Sequence, residues 1–305
     1  MTYSVIGTGG IGGYYGGRLA ASGQTVRFLL HSDYEYVKQN GLQVDSCRGN
    51  FHLDRVEAYA DVREMPHSDV VLVGLKSVNN HLLPEMLRAV VTPQTVVVLI
   101  QNGIGLEADL QAAMPDLQIV AGLAFICTAK TGPGHISHYD YGHINLGNYS
   151  CRDAARFETL LGDFRAAGIE AAEVDYAEAR WKKAVWNMPF NGMTVALNTT
   201  TDALLANEST RRLIREQMME VIGAARACGV AHIDASFADQ MIEMTEQMTP
   251  YSPSMKLDFD YRRPMEIPYL YTRPIAEARK KGFEMPRLAM LEAQLRFIEW
   301  WLSAG

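Results

Sequence analysis

Residues Tyr3–Gly12 read YSVIGTGGIG, a short apolar run that ends in Gly7-Thr8-Gly9-Gly10-Ile11-Gly12. This is the GxGxxG pattern directly after a predicted strand, and a helical pattern, Tyr14–Ala21, opens behind it and stops at Ser22-Gly23. Glycines at these positions allow a tight turn, close approach of the backbone to a pyrophosphate, and close packing of helix on strand. The helix N-terminus then faces the anion. Alone the pattern is weak. Strand, glycine turn and helix in that order favour a dinucleotide site over a structural turn.

Outward from this unit, Thr25–Leu30 reads as a second strand. An NAD-type fold usually carries Asp or Glu at its tip for the ribose 2′-hydroxyl, but here His31-Ser32 stand there and Asp33 follows. The missing acid leans toward a 2′-phosphate, although His and Ser are poorer phosphate ligands than Arg. Gly41–Asp54 alternates around Arg48-Gly49-Asn50 as a hairpin would, inserted after the second helix. Asp69–Leu75 and Thr95–Ile100 are continuous apolar runs suited to buried parallel strands. The first ends in Lys76 with Asn79 close behind, the second in Gln101-Asn102-Gly103. Ligands of doubly wound sheets bind at the carboxyl ends of strands, so Lys76 and Asn102 stand where a cofactor or substrate would. Ile119–Thr128 and the following PGHISHYDYGHINLGN predict three strands with two turns, an antiparallel extension of the sheet. Alternating strand positions account for His135, His138 and His143, whose spacing fits no zinc pattern.

Ala154–Ala167 is helical and Ile169–Ala172 a last short strand. From Tyr176 on, only helical periods recur: Ser209–Ala227, Ala235–Gln247 and Arg287–Leu302, the last with Leu288, Leu291, Leu295, Ile298 and Leu302 as its stripe. Met218, Met219, Met241, Met244 and Met248 read as core filler. Thr249–Tyr269 carries prolines that argue against a long helix, and by composition it is a polar surface loop with a capping serine. The fold expected is an α/β Rossmann-type N-terminal domain, residues 1–174, followed by an all-α C-terminal domain, residues 175–305.

A net charge of −7 without any Lys/Arg cluster argues against nucleic-acid binding. The four cysteines are scattered and make no metal or disulfide pattern, and no apolar run reaches the roughly 20 residues of a membrane span. With no leader-like N-terminus, a cytoplasmic protein without metal or membrane partner is expected.

The chemistry concentrates in Trp181–Asn198, WKKAVWNMPFNGMTVALN, where Lys183, Asn187 and Asn191 recur every fourth residue. On a helix such positions drift only about 40° per step, so one ammonium and two amides line one face of an apolar segment. A partly buried amine between fixed amides can donate to an oxygen and deliver a proton. A solvated face is the plain alternative at this point, and Pro189 must kink the helix or remove a hydrogen bond.

Taken in order, GTGGIG, LKSVN, QNGIG, the TGPGHISH…LG stretch, WKKAVWNMPFN and SPSMKLD…ME resemble the ketopantoate reductase (2-dehydropantoate 2-reductase) family over nearly the whole chain. The resemblance implies a Rossmann-type domain, a helical domain like the C-terminal domain of 6-phosphogluconate dehydrogenase, and a site in the cleft between them. It implies NADP(H) on Gly7, Thr8, Gly9, Gly10, Ile11 and Gly12, with His31, Ser32, Lys76, Asn79, Asn102 and Thr128 also bordering it. Lys183 would be the proton donor in the reduction of ketopantoate to pantoate, a step of pantothenate biosynthesis. Asn102, Asn187, Asn191, Ser254 and Asp258 would hold the small 2-oxo acid. Glu266 would close the far side, counted with both the catalytic and the cofactor-binding groups.

The family commonly has Arg where His31 stands, Gln where Asn79 stands, and in some members Asn where Thr201 stands. A related 2-oxoacid or imine reductase of the same plan is therefore the alternative enzyme. A non-catalytic dinucleotide sensor is the alternative of another class, though a sensor needs no proton donor. The apolar C-terminal helix with Trp300 and Trp301 could cover a core or the interface of a homodimer.

Overall fold

The computed structural model describes residues 1–248 and 252–304. They fall into two compact units, Met1–Gln101 with Leu106–Tyr176, and Asn102–Gly105 with the chain from Ala177 onward.

The first unit contains, in order, β1 (Thr2–Ile6), α1 (Gly10–Ala21), β2 (Thr25–Leu29), α2 (Tyr34–Asn40), β3 (Leu42–Ser46), β4 (Phe51–Leu53), β5 (Glu57–Tyr59), β6 (Val70–Val73), α3 (Leu83–Val90), β7 (Val96–Leu99), α4 (Leu106–Ala113), β8 (Gln118–Gly132), β9 (His135–Asn148), α5 (Ala154–Ala166) and β10 (Ala171–Val174). Its sheet runs β4-β3-β9-β8-β7-β6-β1-β2-β5, with β10 beside β9. The stretch β5-β2-β1-β6-β7-β8 is parallel throughout, the doubly wound order whose switch point lies between β1 and β6. All residues of β6 and β7 are buried, which is why both read as unbroken apolar runs.

The hairpin β3–β4 forms where expected, antiparallel through Val44 and Phe51, and β3 then pairs parallel with β9. The sheet thereby wraps α1, and this explains the helix's glycines beyond the turn. A Cβ on Gly13 would meet Ile136 of β9 at 2.8 Å, and one on Gly16 would meet Val5 of β1 at 2.6 Å. One expectation fails: after β8 there is a single long strand, not two with a turn between. Tyr141 (φ 62°) and Gly142 (φ 111°) take left-handed backbone there, and the pairing with β8 shifts register on either side of them. The second turn of the sequence reading is a bulge in β9.

The second unit is helical: α6 (Tyr176–Ala196), α7 (Thr201–Ala206), α8 (Glu208–Ala227), α9 (Ser236–Gln247), α10 (Ser254–Asp260), a π-helical turn at Pro268–Thr272, α11 (Arg273–Lys280) and α12 (Pro286–Ala304). Helix α6 runs through its middle. Val185, Met188, Phe190 and Val195 pack with Met218, Val221 and Ile222 of α8 and Leu288, Leu291 and Leu295 of α12. Trp300 and Trp301 stay outside this core, 58% and 65% exposed.

Two prolines sit differently in this unit. Helix α6 continues through Pro189 to Ala196. The stretch expected to be loop begins at residues outside the described ones, but from Ser254 it forms α10, with Pro253 as N-cap, where a missing N–H costs nothing. Nor is it polar surface, since Met255, Lys256, Asp258 and Glu266 are buried. Around Pro189, the Tyr271 hydroxyl donates to the Met188 carbonyl at 2.5 Å and accepts from the Gly192 N–H. A Cβ on residue 192 would lie 2.5 Å from that oxygen. Gly192 is glycine because a tyrosine hydroxyl occupies the rung its backbone shares with Met188.

Candidate functional site

In the first unit the glycine turn joins β1 to α1 at the switch point. Gly7 has φ +90°, and a Cβ there would stand 2.3 Å from the Leu75 nitrogen; a Cβ on Gly12 would stand 2.3 Å from the Gly7 oxygen. Gly9 has nothing within 4 Å of where its Cβ would be and caps α1 without any side-chain acceptor for the first-turn N–H groups. A helix N-terminus with open space before it, reached through a turn that admits only glycine, fits a pyrophosphate. Thr8 is tied to β2, donating from Oγ1 to the Leu29 oxygen at 2.8 Å, so its backbone alone is left for a ligand. Thr128 abuts Gly10, whose Cβ position is 3.1 Å from the Thr128 oxygen, while its hydroxyl donates to the Ser137 oxygen at 2.9 Å. His31, Ser32 and Asn79 are exposed and Lys76 is half-buried. Lys76 stands as N-cap of a short 3₁₀ turn, Ser77–Leu82, directly after β6.

The second unit holds a recess lined by Gly103, Ile104, Arg180, Lys183, Ala184, Asn187, Tyr269 and Leu270. Its wall at 103–104 comes from the loop after β7, which belongs to the helical unit: the Ile104 N–H donates to the Tyr269 oxygen at 3.0 Å, and Gly103, at φ +120°, lets the chains touch. Asn102 leads into this wall. Arg180, Lys183 and Asn187 follow one another along α6 at helical spacing, so their side chains share a face.

Burial pushes the Lys183 ammonium down to about 7, the Arg180 guanidinium pushes the same way, and the Glu266 carboxylate opposes both. Arg180 and Glu266 are themselves buried. Lys182 points elsewhere, with its ammonium 2.5 Å from Glu178 and over the Phe237 ring. An amine that is half protonated near neutrality can both give and take a proton.

Asn191, one turn further, faces α10. Its Oδ1 accepts from the Met255 N–H at 3.0 Å and lies 3.5 Å from Ser254 Oγ, and its Nδ2 donates to the Asn187 oxygen at 2.9 Å. Asp258 is fully buried, with Arg263 Nε 3.1 Å from its Oδ1.

Comparison with known proteins decides the family. Residues 3–150 match the model described as ketopantoate reductase PanE/ApbA, and residues 175–299 match its C-terminal counterpart. The chain belongs to the ketopantoate reductase family. A 2-dehydropantoate 2-reductase of Nostoc sp. is 42% identical over 303 residues, covering 97% of this chain and 95% of that one. The crystal structure of 2-dehydropantoate 2-reductase from Geobacter metallireducens superposes with a TM-score of 0.94 at 39% identity, covering 97% and 99% of the two chains. A D-mandelate dehydrogenase solved with NADH and anilino(oxo)acetate has a TM-score of 0.88 at 21% identity, covering 99% and 100%, and shows the shared fold alone. The chain is thus an oxidoreductase of the dinucleotide-binding kind.

Of the residues picked from sequence, the structure gathers Lys183 and Asn187 in the recess, and Glu266 acts on the same lysine; Asn102 directly precedes the Gly103–Ile104 wall in the chain. Asn191, Ser254 and Asp258 form a second group, around the start of α10, held by contacts within the protein. Sequence reasoning missed Arg180, although it precedes Lys183 by three residues and shares its face. It also missed Tyr269, for which only the fold supplies a signal.

Proposed function

We propose that this enzyme reduces 2-dehydropantoate to pantoate with NADPH, the pantoate-forming step of pantothenate biosynthesis, with Lys183 as proton donor. The observation that carries the reading is the Lys183 ammonium, held to about 7 in a recess beside Arg180 and Asn187. The dinucleotide supplies a hydride to the 2-keto carbon. As hydride arrives, negative charge grows on the keto oxygen, and an ammonium hydrogen-bonded there stabilises it and then gives up its proton. Asn187 fixes the amine, while Arg180 and Lys183 together suit an anionic ketoacid. Asn102 takes part in substrate binding, with Asn191, Ser254 and Asp258 shaping the carboxylate end. Glu266 keeps Lys183 protonated often enough to act.

In this reading the dinucleotide-binding domain spans 1–174 and the substrate domain 175–305. The absence of an acid at His31-Ser32 supports NADPH over NADH. We further place the enzyme in the cytoplasm; among the described residues no helix is long and apolar enough to cross a membrane. A homodimer is compatible with the exposed tryptophans of α12. Thr201, buried where some relatives offer Asn, favours one second reading, reduction of a different 2-oxo acid.

A ketoacid panel run with NADPH and with NADH, followed by nicotinamide absorbance, tests this. Ketopantoate with NADPH should give the highest kcat/KM. A better ketoacid would establish the second reading, and equal or better turnover with NADH would overturn the cofactor assignment.

A further inference from the structure

We propose that Lys130 is the residue that reads the 2′-phosphate of the dinucleotide and that Asp33 holds it in position; this rests on the NADPH reading above. In a doubly wound sheet the adenosine ribose lies between the glycine turn and the tip of β2. The tip offers no arginine. His31 and Ser32 are exposed, and Asp33, the first acid beyond them, is buried at 4% exposure. An acid free at this place would take the ribose hydroxyls and select NADH. Asp33 is not free: its Oδ2 accepts from the Gly134 N–H at 3.1 Å and lies 2.6 Å from the Lys130 ammonium.

Lys130 departs from β8 just after the backbone that covers the glycine turn. A Cβ on Gly10 would lie 3.1 Å from the Thr128 oxygen and 3.2 Å from the Ala129 Cα. The lysine thus starts beside the pyrophosphate turn and ends at the residue after Ser32. Those are the two fixed points that bracket a ribose 2′-substituent. Exposure separates the partners, since the Lys130 side chain is 28% accessible and that of Asp33 only 5%. An ammonium has three N–H donors, so one spent on Asp33 leaves others for a phosphate on the open side. A buried carboxylate needs a partner, so Asp33 fixes the lysine rather than the ribose. The role that an arginine at the end of β2 would fill is met from β8.

The test is a fluorescence titration of NADPH and NADH against the wild type, Lys130→Met and Asp33→Asn, repeated with adenosine 2′,5′-bisphosphate and 5′-AMP as competitors. Losing a charge-assisted phosphate contact should weaken NADPH by about ten- to a hundredfold and the bisphosphate likewise, with NADH and AMP within about threefold. Asp33→Asn keeps an acceptor for the Gly134 N–H but gives up the charged tie that fixes Lys130, so the NADPH/NADH affinity ratio should fall by a few-fold, although the loss of a negative charge by itself would favour a phosphate. Equal weakening of both dinucleotides by Lys130→Met, or of neither, overturns the assignment. A wild type without preference for NADPH overturns the cofactor reading, and this inference with it. A preferring wild type whose ratio survives Lys130→Met sinks the lysine alone. If Lys130→Met does not fold, Asp33→Asn decides: a lowered ratio supports the assignment, and an unchanged or raised one refutes it.

Discussion

Arg180 precedes Lys183 by three residues on α6, and replacing it with methionine should raise the pKa of the lysine. That pKa falls from 10.5 to about 7, with burial as the first cause, Arg180 as the second and Glu266 in opposition. A buried like charge close by shifts a neighbour by about one unit or more, so Arg180→Met should move the lysine to ~8. In the proposed reduction Lys183 must carry the proton, so kcat/KM is full below the pKa and falls tenfold per pH unit above it. At pH 9 the wild type should stand about 100-fold below its plateau and Arg180→Met only about tenfold below its own. Glu266→Gln should move the limb the other way, below 7. The assay is a pH profile of kcat/KM with saturating NADPH. It reads the position of the limb and not its height, so a weaker hold on the ketoacid does not confuse it. A limb at the same pH in Arg180→Met, or one displaced downward, would refute the electrostatic account of Lys183.

Tyr271→Phe should destabilise the helical unit by about 1–3 kcal/mol in urea unfolding, because a buried hydroxyl that serves both Met188 and Gly192 is lost; an unchanged midpoint would show that the backbone rung closes without it. Ser254→Ala should raise KM for the ketoacid with NADPH affinity nearly intact, and wild-type kinetics would leave Ser254 with only its 3.5 Å approach to Asn191. The depressed pKa of Lys183 also links stability to pH. Between about 7 and 10.5 the unfolded chain holds a proton that the folded one does not, so this group's contribution to stability rises with pH there. The Tm gain of Lys183→Met over wild type should therefore be greatest at pH 6 and shrink toward pH 10, and a gain equal at both would contradict the shift.

The glycine turn and the helix register were legible because each is a local pattern. GTGGIG between strand and helix carries its own backbone demand, and the four-residue spacing of Lys183 and Asn187 survives whatever packs around it. Partners from distant sequence were not legible. Residues 102–105 look like the end of a strand, yet they fold with the helical unit because Gly103 and Ile104 meet Tyr269. Asn191 sits at the right spacing, but its carboxamide is turned to the start of α10 by a Met255 N–H that no periodicity announces. The bulge at Tyr141-Gly142 imitates a turn because both use left-handed backbone. Pro189 reads as a kink or a lost hydrogen bond inside a helix, and Pro253 as one of the prolines that argue against a long helix. One lies inside a helix that persists and the other at a helix N-cap, a difference set by position along the helix.

The central claim is that Lys183 gives the proton. Its neighbour Lys182 lies about 100° round the helix, engaged by Glu178 and the Phe237 ring. Single-turnover reduction of ketopantoate by Lys183→Ala and Lys182→Ala, each loaded with NADPH, tests the claim most directly. The account predicts a loss of about 10²–10⁴-fold for Lys183→Ala, with NADPH affinity preserved, and nearly wild-type rates for Lys182→Ala. A dispensable Lys183 beside an essential Lys182 would contradict it.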